Sequence, residues 1–153
     1  MKTIFTEIIS SELENKKVVH LIQPLINSNT VFLFKGGLGV GKTTFVRNLV
    51  ENFVPFNHVQ SPTFSFRNSY VINPQLSIEH FDLYRIETND DLESIGFWEV
   101  FSETNKCIFI EWSEKLNEAD LPLNWKVYIL SLEKLKDDAH SLTESRRFIL
   151  SSF

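Results

Sequence analysis

The chain has 153 residues, a net charge of −5, and 13% aromatic content that includes 14 Phe. That length suits one α/β domain spanning residues 1–153 with a phenylalanine-rich core. The acidic balance offers no basic excess to release counterions, which argues against charge-driven nucleic-acid binding and favours a protein partner.

Lys2–Ile9 is the first candidate strand. The residues that open the chain lack the long apolar stretch of a signal peptide, and no apolar run approaches membrane-spanning length. The expected location is therefore cytoplasmic, with no membrane contact. Ser10 and Ser11, followed by Glu14, resemble a capping box and predict a helix to about Ile26. Leu13, Val18, Leu21, Ile22 and Leu25 give that helix its apolar face, and Pro24 lies near its end.

Thr30–Phe34 (TVFLF) is a β-branched and aromatic run of strand length that ends at glycines. Gly36, Gly41, Lys42 and Thr43 fill the pattern G-x-x-x-x-G-K-[ST]. Thr43–Phe53 then spaces Phe45, Val46, Leu49, Val50 and Phe53 at helical intervals. Strand, glycine loop and helix form the setting of a phosphate loop. Glycines let successive N–H groups face one concavity, and the helix start adds its positive dipole end. Within Gly37, Leu38, Gly39, Val40, Gly41, Lys42, Thr43 and Thr44, the lysine is expected at the β- and γ-phosphates. The Thr43 hydroxyl is expected on Mg²⁺. The bland alternative is a glycine-rich turn with an exposed lysine.

Val54–Asn57 breaks the helix, and Val59–Tyr70 leads towards a strand. Leu76–Ile86 (LSIEHFDLYRI) reads as a strand, followed by the polar break Thr88-Asn89-Asp90. Asp91–Phe101 suits a helix through Leu92, Ile95, Phe97, Trp98 and Phe101. Cys107–Glu111 (CIFIE) is an apolar strand ending in an acid. Glu114–Leu121 is a loop or short helix, Pro122 a turn, and Trp125–Leu130 and Arg147–Leu150 closing strands. The expected fold is an α/β P-loop NTPase-like one: a mixed, mostly parallel sheet flanked by helices, with an antiparallel portion. Cys107 is expected as a buried thiol. His20, His58, His80 and His140 show no zinc spacing.

A phosphate loop needs a second acidic element to organise metal and water, usually at the carboxyl end of an apolar strand. Glu111 and Asp82 are the candidates. The alternatives are a solvated strand-end carboxylate for Glu111 and an acid paired with Arg85 for Asp82. Trp112 either covers the site or is a core tryptophan, and the same choice applies to Tyr84 and Trp98. Ser61-Pro62-Thr63-Phe64 reads as a γ-phosphate-sensing segment or as a plain Ser-Pro turn. Arg85, two residues beyond Leu83 on the same strand face, is expected to be buried.

Leu38-Gly39-Val40-Gly41-Lys42-Thr43-Thr44-Phe45-Val46-Arg47, Ser61-Pro62-Thr63-Phe64, His80-Phe81-Asp82-Leu83-Tyr84-Arg85, Ile95-Gly96-Phe97 and Ile110-Glu111-Trp112 fall in one order. Together these blocks resemble the bacterial tRNA threonylcarbamoyladenosine-biosynthesis ATPase family, TsaE, over roughly Ser10–Leu116. The resemblance implies a slow ATPase that uses ATP and Mg²⁺. It implies a complex with the threonylcarbamoyl transferase subunit and that subunit's non-catalytic paralogue, with tRNA engaged only indirectly. The assembly would modify adenosine 37 of tRNAs reading A-starting codons, and hydrolysis would reset it between turnovers. By motif, Lys42 and Thr43 bind phosphates and metal, Glu111 is the second metal-side acid, and Asp82 serves hydrolysis. Ser61–Phe64 is switch-like. Family members usually carry Asp where this chain has Gly37. Their Ser-x-x-x-Thr pattern near the adenine reads Ser11…Asn15 here, and Arg146 or Arg147 stands where they carry a C-terminal arginine. The other readings are a small-molecule kinase, which normally needs an arginine-rich lid, and a nucleotide-dependent scaffold without useful turnover.

Overall fold

The computed structural model describes residues 1–54, 62–63, 65–135 and 144–153. Its strands are β1 (Lys2–Ile9), β2 (Thr30–Lys35), β3 (Arg67–Asn73), β4 (Leu76–Asp82), β5 (Lys106–Glu111), β6 (Lys126–Lys134) and β7 (Arg146–Ser152). Its helices are α1 (Asn15–Ile22), α2 (Lys42–Phe53) and α3 (Asn89–Ser94). The strands form one sheet in the order β1-β7-β6-β2-β5-β4-β3. Strands β6, β2, β5 and β4 are mutually parallel, while β3 and β7 run against them, so the sheet has the expected mixed character.

Both faces of the central strands are covered. That is why the interiors of β2 (Val31 to Phe34) and β5 (Cys107 to Ile110) are unbroken apolar runs rather than alternating. On one face α1 and α2 pack over Phe32, Phe34, Phe109, Leu130 and Phe148, with Phe45, Leu49 and Val50 supplied by α2. On the other face Val31, Leu33, Ile108 and Ile110 meet Phe81, Phe97, Val100 and Trp125. The phenylalanines make edge contacts, such as Phe32 with Phe109 at 5.4 Å and Phe81 with Phe97 at 5.1 Å. Cys107 is fully buried, and burial pushes its thiol pKa up.

Local chemistry explains where elements stop short of their predicted bounds. Ser10 N–H donates to Glu14 Oε2 at 2.9 Å, yet the Ser11 hydroxyl caps nothing. The chain therefore enters α1 through a 3₁₀ turn, Glu12–Glu14, and leaves it through another, Gln23–Leu25, where Pro24 lacks a donor. Leu13 and Leu21 consequently stay exposed. Strand β4 ends at Asp82, whose Oδ1 accepts Tyr84 N–H at 2.9 Å and turns the chain. Arg85 falls in that turn and is exposed, which corrects the expectation that the strand buries it. Thr88 and Asp91 form a reciprocal capping box at α3. The helix predicted to Phe101 breaks at Gly96 (φ +66°) and resumes as a 3₁₀ turn, Glu99–Ser102. The break swings Phe97 and Phe101 into the second core.

The parallel register sets the geometry at the carboxyl end of the sheet. Phe34 and Asp82 both pair with Glu111, so the ends of β2, β4 and β5 emerge side by side.

Candidate functional site: a phosphate loop with two carboxylates

Gly36–Gly41 joins β2 to α2. Gly36, Gly39 and Gly41 adopt φ of +140°, +70° and +104°, values that side chains rarely tolerate. A Cβ on Gly36 would stand 2.4 Å from the Leu132 carbonyl oxygen. The sequence motif and the strand–loop–helix setting therefore coincide. Gly41 precedes α2, so the N–H groups of Lys42, Thr43 and Thr44 have no carbonyl one turn earlier and face the loop. Leu38–Thr44 line a cleft of about 320 Å³ together with Thr63, Asp82, Tyr84, Glu111 and Trp112. A larger groove of about 800 Å³ lies against Leu123, Phe153 and the opening residues of β6, and no residue of the glycine loop lines it.

Lys42 is buried. Its Nζ donates to the Gly36 and Gly37 carbonyls at 2.5 and 3.1 Å and lies 3.7 Å from the centre of the Trp112 ring. Burial lowers its pKa, against the opposing pull of Glu111, Glu114 and Asp82. Trp112 reaches this place through a left-handed backbone (φ +58°) at the end of β5, and its ring packs on Tyr84 at 4.9 Å. It thus covers the lysine while also packing against the edge of the second core.

Thr43 Oγ1 donates to Glu111 Oε2 at 2.8 Å. Glu111 Oε1 meets His80 Nε2 at 2.8 Å. On the neighbouring strand Asp82 is buried. Its Oδ2 accepts from Thr63 Oγ1 at 2.6 Å and its Oδ1 from Tyr84 N–H at 2.9 Å. Thr63 belongs to the segment read as switch-like, whose Ser61 and Phe64 lie outside the described residues.

Two remaining sequence candidates lie off the cleft lining. Ser11 is exposed at the entry to α1. The Gly37 carbonyl accepts from Lys42 Nζ and from Val40 N–H, and open space surrounds the place of a side chain there. Near the loop, the Arg146 side chain comes within 3.7 Å of where a Cβ on Gly41 would stand. Asn15 is buried, with no partner for its Oδ1 among the described residues.

Sequence reasoning passed over two contributors. Glu114 Oε1 accepts Gly36 N–H at 2.8 Å, and Ser113 Oγ donates to the Phe34 carbonyl at 3.3 Å, so the turn after β5 braces the loop. His80 stands in the His80–Arg85 block, and strand periodicity sets it on the same face as Asp82, two residues on.

Among the described residues no three His, Cys, Asp or Glu side chains cluster as a metal cage. Magnesium needs none: it takes one or two protein oxygens, substrate phosphates and water. The adjacent Thr43 hydroxyl and Glu111 carboxylate are hard oxygen donors beside unpaired N–H groups, so they fit that ion.

This fold and loop define a P-loop NTPase-like protein. The solved structure of YdiB from Bacillus subtilis has the same fold, with a TM-score of 0.71 at 22% identity over 97% of this chain and 84% of that one. The family model "Threonylcarbamoyl adenosine biosynthesis protein TsaE" matches residues 9–143, and the chain belongs to that family. Proteins named "tRNA threonylcarbamoyladenosine biosynthesis protein TsaE" are similar along most of their length. The one from Rickettsia felis is 31% identical, over 95% of this chain and 84% of that protein. The one from Haemophilus influenzae is 32% identical, over 90% and 87%. The one from Aquifex aeolicus is 33% identical, over 89% and 96%.

Proposed function

We propose that residues 1–153 act as one Mg²⁺-dependent ATPase domain in tRNA threonylcarbamoyladenosine biosynthesis. The observation that carries the ATPase reading is the Thr43–Glu111 pair, 2.8 Å apart, beside Lys42 and the free end of α2. Family membership and the names of the relatives support the pathway.

In this reading the first-turn N–H groups of α2 and the N–H groups of Leu38–Gly41 hold the phosphates. Lys42 leaves its carbonyl cradle and takes the β- and γ-phosphate oxygens. Thr43 and Glu111 would hold Mg²⁺, which would neutralise negative charge on the nucleotide. Asp82 positions the water that attacks. Its hydrogen bond to Thr63 ties that role to the segment after α2, which responds to the γ-phosphate.

Arg146 approaches the loop beside Gly41 but is not among the described residues that line the cleft. A charge supplied in trans is worth about 10³–10⁵ in rate. Hydrolysis is therefore slow alone and faster with the threonylcarbamoyl transferase subunit and its paralogue. It resets that complex between modifications of adenosine 37 in tRNAs reading A-starting codons, and tRNA contacts the assembly chiefly through the partners.

Single-turnover ATP hydrolysis, measured with and without the two partners, tests this. Stimulation by the partners is expected. Fast turnover by the isolated chain would favour a stand-alone ATPase or kinase, and binding with no stimulated hydrolysis would favour a scaffold.

A further inference from the structure

His80 lies in the middle of β4 and has no solvent exposure. Its Nε2 contacts Glu111 Oε1 at 2.8 Å, and its Nδ1 is buried with no hydrogen-bond partner among the described residues. Burying a ring with one nitrogen unsatisfied costs free energy that a leucine or phenylalanine would not. Its neighbours along this face of the sheet are the apolar Ile78 and Phe109, with Asn68 directly across on β3 and Asp82 two residues on. Packing against Ile78 and Phe109 does not call for an imidazole, and among the described residues Glu111 supplies the hydrogen-bond partner of the ring.

That contact fixes a direction. Glu111 has two oxygens, and each has one partner: Oε1 meets Nε2 of His80, and Oε2 accepts from Thr43 Oγ1. Since a carboxylate oxygen only accepts, the imidazole donates through Nε2–H. The donor anchors Oε1 from the interior side of the sheet. Oε2 is thereby turned towards Thr43 and the end of α2. Without that anchor the carboxylate can rotate about its last torsion, which is soft.

We propose that His80 is a positioning residue that orients Glu111 for the divalent cation shared with Thr43. This rests on the reading of Glu111 as the metal-side acid. His80 touches neither nucleotide nor cation. It acts through Glu111, as an outer partner does when it aims a ligating group. The consequence is a specific split. Loss of the donor weakens the dependence of ATP binding on Mg²⁺ and leaves metal-free binding to the loop intact.

Three variants test the proposal by calorimetric ATP titration, in EDTA and across a Mg²⁺ series, with thermal melting as the folding control. His80→Leu removes the donor. His80→Gln keeps an amide N–H near the position of Nε2. Glu111→Ala removes the acid itself. His80→Leu is expected to raise the Mg²⁺ concentration for half-maximal enhancement of ATP binding by about 10- to 100-fold, the usual cost of losing such a partner. Its ATP affinity in EDTA should stay native, and His80→Gln should recover most of the Mg²⁺ response. If His80→Leu does not fold, His80→Asn, polar but too short to reach Glu111, is read by the same criteria. An unchanged Mg²⁺ requirement without the donor, alongside a defective Glu111→Ala, overturns the inference alone. So does a failure of His80→Gln to rescue, or an equal loss with and without metal. An unchanged requirement in Glu111→Ala overturns the metal-side reading and the inference with it.

Discussion

Glu111 and Asp82 are adjacent in register, yet their contacts differ in a way that separates the roles proposed for them. Glu111 bonds the hydroxyl of the loop helix, whereas Asp82 bonds Thr63 and the turn after its own strand. Glu111→Ala is therefore expected to lose the Mg²⁺-dependent part of ATP affinity. Asp82→Ala should bind ATP normally and slow its single-turnover hydrolysis by about 10²–10⁴, a loss confined to the transition state. Equal losses of binding would remove the distinction. Lys42 belongs to the same scale. Its ammonium donates to two carbonyls that phosphate oxygens would replace. Lys42→Ala should weaken ATP binding by about tenfold or more, the worth of one charged hydrogen bond. It should abolish hydrolysis with the melting temperature little changed.

The phosphate loop is an element held from three sides. Gly36 passes so close to β6 that a Cβ would overlap the Leu132 carbonyl, and its φ is +140°. Glu114 receives the Gly36 N–H, and Ser113 bonds the last apolar residue of β2. Gly36→Ala should then destabilise the fold by about 2–4 kcal/mol, measured by urea unfolding, through combined strain and overlap. A native unfolding midpoint would show that the loop is not held this tightly. The loop itself was readable because its residue types are dictated locally: glycines for positive φ, a lysine and a hydroxyl at fixed spacing. The central strands were readable as unbroken apolar runs. The bracing by Glu114 and Ser113 was not readable, because it joins residues 78 and 79 positions apart. Nor was the break at Gly96 visible, since Phe97, Trp98 and Phe101 keep a helical spacing while packing from irregular backbone.

At the scale of the whole molecule, one buried charge cluster ties β3, β4 and β5 together. Glu79, with no exposed side chain, accepts from Lys106 Nζ at 2.7 Å, Ser69 Oγ at 2.8 Å and Arg67 Nε at 2.9 Å. Burial pushes its pKa up, but the hydrogen bonds from Lys106, Arg67 and Ser69 outweigh that and hold it below its usual value of 4.5. A carboxyl with a lower pKa in the folded chain adds stability above its unfolded value, and that contribution fades as pH falls through the folded value. Stability should thus hold near neutrality and decline below about pH 4.5. Glu79→Gln should cost about 2 kcal/mol at pH 7, less than an isolated buried charge because Arg67 and Lys106 keep Glu103. The gap between the two proteins should narrow in acid, and parallel unfolding curves from pH 7 to pH 3 would refute the assignment.

The stacking of Trp112 over Lys42 also gives the protein an optical reporter of its own. An ammonium 3.7 Å from the ring centre perturbs indole emission, and in the proposed function a bound nucleotide would draw that charge away. ATP should therefore change the intrinsic fluorescence in Trp98→Phe as in the native chain, and leave it unchanged in Trp112→Phe. The arrival of the phosphates could then be timed by stopped flow without a label.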